Sequence, residues 1–235
     1  MSRDTLLTRH TAGVSGREAP AAVTAYRAMH ALILNNEWPP GFQVTEVEAA
    51  ELFVMSRTPV REAFMLLERD GLVEIVSRRG LRVLPVSPDD MREIYQVVTS
   101  LEATAAELVA SIKPSDADLA SLEEATSAMT VALEADDLVA WAEADERFHS
   151  ELLVLCGNST LAAVVTNCWG RMHRVRMITL RMRPKPDRST QEHRALVEAL
   201  RRGDPQAAGT LHRAHRQLAG EELVALLERF GLRTL

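Results

Sequence analysis

The stretch Ser56-Arg57-Thr58-Pro59-Val60-Arg61-Glu62-Ala63 constrains this chain more than any other. It reads as the first turns of a helix. Ser56 or Thr58 can cap it, because a hydroxyl there accepts a bond from an unpaired backbone N–H. Pro59 is tolerated because the early helical N–H groups have no partner within the helix. Arg57 and Arg61 are four apart and share one face, while Val60, Ala63, Phe64 and Leu67 form an apolar stripe on the other. Arginine at a helix N-terminus opposes the helix dipole. Two of them there point to an external anion or base edge that compensates.

The flanks fit a helix-turn-helix. Ala22, Tyr26, Met29 and Ile33 recur at helical spacing up to Leu34, and Trp38-Pro39-Pro40-Gly41 is a rigid turn. Thr45 with Glu48 three residues later is a capping box for a short helix to about Phe53, with Val54-Met55 as the turn before Ser56. That division, a short helix turning tightly into a basic one, is what a major-groove reader needs. Beyond Asp70-Gly71, Leu72–Val76 and Leu81–Leu84 alternate like strands joined by Ser77-Arg78-Arg79-Gly80. Three helices and a basic hairpin make a winged helix, with Arg78 and Arg79 expected on the DNA backbone or minor groove. A solvated loop tip is the alternative for those two.

The formal net charge is -6, so nucleic-acid binding must come from a local patch. Between Arg57 and Arg82 the balance reverses, six arginines against four acids. Cys156 and Cys168 read as buried free thiols in a reducing cytoplasm. No apolar run approaches the roughly 18 residues of a membrane span, so a cytoplasmic location without a membrane is expected.

The expected domains are a flexible tail over residues 1–20, in which Arg3, Arg9 and Arg17 graze phosphates; a winged helix-turn-helix over 21–84; a linker over 85–88; and a helical domain over 89–231. Caps and breakers divide the last into six helices, which imply an antiparallel all-helical bundle. They begin at Ser87 or Asp89, Pro114-Ser115, Asp136-Asp137, after Gly157-Asn158-Ser159, at Ser189 with Glu192 as a capping-box partner, and at Asp204-Pro205.

Polar residues fall on the apolar faces of that bundle. Asp145 and His149 share the stripe of Leu138, Trp141, Phe148, Leu152 and Leu155. His193 lines up with Leu196 and Leu200, and His212 and His215 with Ala219, Leu223 and Leu226. A carboxylate inside a core is costly unless it is paired or holds a metal. One carboxylate and several imidazoles facing one interior suit a divalent ion, zinc first, with nickel, iron or manganese also compatible. For each histidine alone, a hydrogen-bonded core position explains the pattern as well. The spacing leaves His212 and His215 as rivals.

The motifs resemble a known family. PPG at 39–41, SRTPVREA at 56–63, DGLVE at 70–74 and RRG at 78–80 are similar to the DNA-binding domain of GntR transcription regulators. The resemblance implies DNA contacts from Arg57, Thr58, Arg61, Arg79 and Gly80. Val47 stands where some relatives carry an arginine. Asp145-Glu146-Arg147-Phe148-His149, Glu192-His193 and His215 resemble the FCD ligand-binding domain of the FadR-like branch, in its shorter six-helix subgroup. It implies a metal held by Asp145, His149, His193 and His215, with a small carboxylate or related acid beside it. Val98 replaces an arginine common in that domain, leaving Arg176 or His173 as candidates to meet the effector.

The expectation is therefore a homodimeric regulator that binds double-stranded operator DNA under the control of a small-molecule effector. The alternatives are a metal-dependent hydrolase-type enzyme, and a DNA-binding protein whose bundle only dimerises.

Overall fold

Caps and turns at the expected places set most elements of the computed structural model, which describes residues 20–231. Arg3, Arg9 and Arg17 lie outside the described residues. The chain divides into two compact units between Val86 and Ser87.

The first unit holds α1 (Ala21–Leu34), β1 (Gln43–Val44), α2 (Glu46–Leu52), α3 (Arg57–Arg69), β2 (Val73–Val76) and β3 (Gly80–Val83). Thr45 and Glu48 form the expected capping box of α2. Ser56 is the N-cap residue of α3, but its side chain makes no capping bond, and Thr58 lies inside the helix. Val60, Ala63, Phe64 and Leu67 are buried as the stripe required. They meet Ala25, Met29 and Ile33 of α1, with Trp38 stacked on Phe42 at 4.9 Å. Each large apolar side chain buried there is worth roughly 1.5–3 kcal/mol. The inward face of α1 is rotated from the expected one, since Ala25 and Leu32 are buried while Ala22 and Tyr26 are only partly so. The Tyr26 hydroxyl instead donates to Asp70 Oδ2 (2.6 Å), tying α1 to the end of α3.

The hairpin is part of a three-stranded antiparallel sheet in the order β1-β3-β2. Val44 pairs with Leu81, and Val76 with Gly80. The sequence reading missed β1 because two residues are too few to show alternation. Gly80 is required by β1, not only by the turn. It has φ +80°, and a Cβ there would lie 2.2 Å from the Val44 carbonyl oxygen and 2.6 Å from Thr45 Cα.

The second unit is a six-helix bundle: α4 (Pro88–Ser111), α5 (Asp116–Glu134), α6 (Leu138–Leu155), α7 (Ser159–Thr179), α8 (Asp187–Arg201) and α9 (Pro205–Arg229). Ser87 with Asp90 and Ser115 with Asp118 form capping boxes, so α4 begins at Pro88, inside the stretch expected as linker. Asp137, Asn158 and Asp204 cap α6, α7 and α9. The last turn after α7 tightens to a 3-10 turn at Leu180–Met182, because Arg183 precedes a proline and is driven extended.

One cap differs from expectation. α8 starts directly after Pro186, with Asp187 in its first turn, where a negative charge suits the helix dipole. Ser189 is therefore inside the helix, and neither it nor Glu192 forms a capping box. Both are released for the interior.

α4 packs along α9, α5 on α6, and α8 against α5 and α9. The α4–α9 approach depends on Gly220, where a Cβ would meet the Tyr95 ring at 2.7 Å. Cys156 and Cys168 are free thiols, Cys156 only partly buried. No described helix is long and apolar enough to cross a membrane.

Candidate metal centre and nucleic-acid interface

Asp145 and His149 leave α6 one turn apart, His193 comes from α8 and His215 from α9, and all four are buried. A ligand-type atom from each lies within 4.8 Å of those of the others. His193 Nε2 is 3.5 Å and His149 Nε2 3.8 Å from Asp145 Oδ1. Asp145 divides its oxygens, because Oδ2 accepts from the Arg176 guanidinium.

Each of the three rings is turned by an acceptor outside the group. His193 Nδ1 donates to the Ser189 carbonyl (2.6 Å), and His215 Nδ1 donates to Glu192 Oε2 (2.8 Å). His149 Nδ1 sits 3.1 Å from Glu102 Oε2, off the line of a good hydrogen bond. With Nδ1 so engaged, Nε2 is the lone-pair atom of His193 and of His215. The His149 and His193 Nε2 atoms are only 3.2 Å apart. With the His149 proton on Nδ1, facing Glu102, two lone pairs meet there, and a cation between them and Asp145 resolves the arrangement. The residues therefore fit a divalent metal.

Protonation states agree with that. Burial lowers the pKa of all three imidazoles, joined by repulsion from Arg216 at His149 and from neighbouring histidines at His215. Burial alone would raise the Asp145 carboxyl, but His149 and Arg176 hold it well below the carboxylate range. Neutral imidazoles and an ionised carboxylate are the ligating forms.

His212 belongs to a second group. Its Nε2 donates to Glu102 Oε2 (2.9 Å), and Arg216 grips the same carboxylate through Nε and Nη2, each at 2.7 Å. Glu102, His149 and His212 could themselves meet an ion, but the Arg216 charge on Glu102 opposes one. The sequence reading missed Glu102 and Arg216. Glu102, four residues after buried Val98, takes a fully buried position on α4. Arg216 stands one turn after His212, and that spacing was the available signal.

A cavity of about 520 Å³ opens beside the four ligands, lined in part by Tyr95, Trp141, Arg176, Arg183 and Arg216. His173 and Arg176 line it too, each bound to Glu146 Oε2, at 2.7 and 2.8 Å. Neither is a solvated helix residue.

In the first unit Arg57, Thr58 and Arg61 are exposed along α3, and Arg78 and Arg79 at the hairpin tip, with Arg78 at φ +62°. Glu46, at the start of α2, pairs with both helix arginines: Arg57 Nη2 at 3.0 Å and Arg61 Nε at 3.8 Å. Glu46 was not singled out by the sequence. Val47 is half exposed on α2 and offers no charge there.

Residues 93–218 match the profile of the FCD domain, and residues 21–83 that of bacterial regulatory proteins of the gntR family. An HTH-type transcriptional regulator in the TAR-I ttuE-ttuC' intergenic region of Agrobacterium vitis is 47% identical over 147 residues, 62% of this chain and 85% of that one. The HTH-type transcriptional repressor RspR of Escherichia coli K12 is 26% identical over 204 residues, 87% and 89% of the two chains. Among solved structures, E. coli McbR/YncC superposes with a TM-score of 0.75 at 19% identity, over 89% of this chain and 99% of that one, a likeness of fold.

Proposed function

This chain belongs to the gntR family of bacterial regulatory proteins and carries an FCD domain, and from that premise we propose that its operator affinity is set by a small acidic metabolite bound beside a divalent metal in the bundle. It is a DNA-binding transcriptional regulator, and its family and relatives are regulators, not enzymes.

Asp145, His149, His193 and His215 hold the ion in this reading, zinc before nickel, iron or manganese. The observation that carries it is the orientation of the rings: Nδ1 of His193 and of His215 is engaged from outside and that of His149 faces Glu102, while Nε2 of His149 and His193 crowd one carboxylate oxygen. Bound there, the ion would supply a Lewis-acidic point for an oxygen ligand. Arg176, braced by Asp145 and Glu146, presents positive charge to the same cavity, which His173 also lines.

Arg57, Thr58 and Arg61 read the major groove, and Arg78, Arg79 and Gly80 form the wing contact. A winged helix covers a short half-site, so a homodimer on a near-palindromic operator follows. The working division is a DNA-binding domain over 21–84, a linker over 85–88 and an effector domain over 89–231, in a cytoplasmic protein. Effector binding shifts the population between DNA-competent and incompetent arrangements, through different affinity for the two.

Elemental analysis of the purified protein tests this. Stoichiometric metal in the wild type and its loss in the Asp145→Ala, His149→Ala double variant are expected. Full occupancy in that variant, or a metal-free wild type after growth in replete medium, overturns the assignment.

A further inference from the structure

Resting on the reading that the cavity beside Asp145 and His149 takes the effector, we propose that Arg183 is a second anion anchor and that the effector is a diacid. One carboxylate goes to the metal side and the other to Arg183.

Three other arginines of the cavity already have carboxylate partners. Arg176 is bound to Asp145 and Glu146, and Arg216 to Glu102. Arg188 is bound to Glu192 (3.3 Å) and Glu222 (2.7 Å). Arg183 lines the same cavity, and its Nε and Nη2 are buried without a hydrogen-bond acceptor. No carboxylate pairs with it among the described residues. A guanidinium keeps its charge in proteins, so burial of its donors without an anion is a standing penalty.

The two unpaired atoms are also the informative ones. Nε and Nη2 make one edge of the guanidinium fork, matched to the two oxygens of a carboxylate. Arg216 uses the same two atoms to hold Glu102. Arg183 thus presents, in the cavity wall, the half of a pairing that this protein completes elsewhere. Burial disfavours its charge, and nearby Arg176 adds repulsion. Arg176 Nε is likewise buried without an acceptor.

A monoacid seated on the metal would leave Arg183 unpaired, whereas a diacid satisfies both ends. The chain segment supports a ligand-reading role. Arg183 is held extended between the Leu180–Met182 turn and Pro184, so its backbone is restricted before any ligand arrives. With buried Val98 apolar on α4, the anion-reading charge comes from this loop.

The experiment titrates the metal-loaded full chain by calorimetry with three matched pairs of acids: succinate and butyrate, malate and 2-hydroxybutyrate, 2-hydroxyglutarate and 2-hydroxyvalerate. In at least one pair the diacid should bind roughly tenfold to a hundredfold more tightly. Arg183→Gln should abolish that preference, and Arg183→Lys should restore only part of it, because an ammonium lacks the fork. Without ligand, Arg183→Gln should melt no lower than the wild type. No preference in any pair, including no binding at all, overturns the proposal, as does a lowered melting temperature of ligand-free Arg183→Gln. Metal content measured on the same samples separates the two readings. A loaded protein without diacid preference removes Arg183 alone, and a protein that takes no metal removes the metal centre while the charge preference is still read.

Discussion

Glu102 of α4 and Arg216 of α9 face each other across the bundle as a two-bond pair, Nε to Oε2 and Nη2 to Oε1, each 2.7 Å. Both residues are buried, and Glu102 Oε2 also serves His212 and lies beside Nδ1 of His149. One carboxylate therefore joins the two helices that pack most extensively and orients a candidate metal ligand.

Breaking this pair should be expensive, because it leaves an uncompensated buried charge. Glu102→Met or Arg216→Met should each lower stability by about 3–5 kcal/mol, and the double variant by less than the sum. Urea unfolding of the four proteins closes the cycle. Additive losses would contradict direct coupling. Glu102→Gln should also weaken metal binding, by roughly 10–100-fold, through the loosened His149.

Glu46 neutralises Arg57 and Arg61 in the DNA-free protein. Glu46→Gln should therefore strengthen binding to random-sequence DNA and steepen its salt dependence. Arg57→Ala or Arg61→Ala should instead relax base preference, with about 1–3 kcal/mol of discrimination lost if the guanidinium meets guanine. Arg79→Ala should weaken all sequences alike and reduce the salt slope by about one. Fluorescence anisotropy on operator and scrambled duplexes, at several salt concentrations, reads all of these. Unchanged affinity in both helix variants would reject docking through α3.

Chelation should lower the melting temperature of the metal-loaded protein, since an ion bound only by the folded state adds about 2.7 kcal/mol at a hundred times its Kd. Calorimetric melting with and without chelator measures it. An identical melting point would mean that the four residues hold nothing.

Acid should destabilise the metal-free protein in two stages. His149, His193 and His215 are pushed below their usual 6.5 by burial, so the unfolded chain takes up protons first. Their contribution is fully present above about 6.5 and is lost as pH falls through that value towards their folded pKa. Glu102 and Asp145 are depressed below 4.5 and 3.8, chiefly by Arg216 at Glu102 and by His149 and Arg176 at Asp145 acting against burial, so a second loss begins there. Urea midpoints measured from pH 8 to pH 4 should fall throughout the lower half. A flat profile between pH 7 and pH 5 would show that the imidazoles are not buried neutral.

Local chemistry determined a large part of this molecule. The Thr45–Glu48 box, the stripe of Val60, Phe64 and Leu67, and the breakers at Gly157 and Gly203 act within a few residues, so the chain order alone reveals them. The four-apart spacing of Asp145 and His149 likewise puts both on one face. What the spacing could not decide was partnership across elements. Choosing His215 over His212 depends on which carboxylate each ring meets, Glu192 or Glu102, and both acids come from other helices. The start of α8 turned on a competition between Pro186-Asp187 and Ser189, settled by the packed helix. β1 exists only through its pairing with β3, and Arg183 is defined by the acceptor it lacks. These are relations between residues distant in the chain, and only the tertiary structure brings such residues to one place.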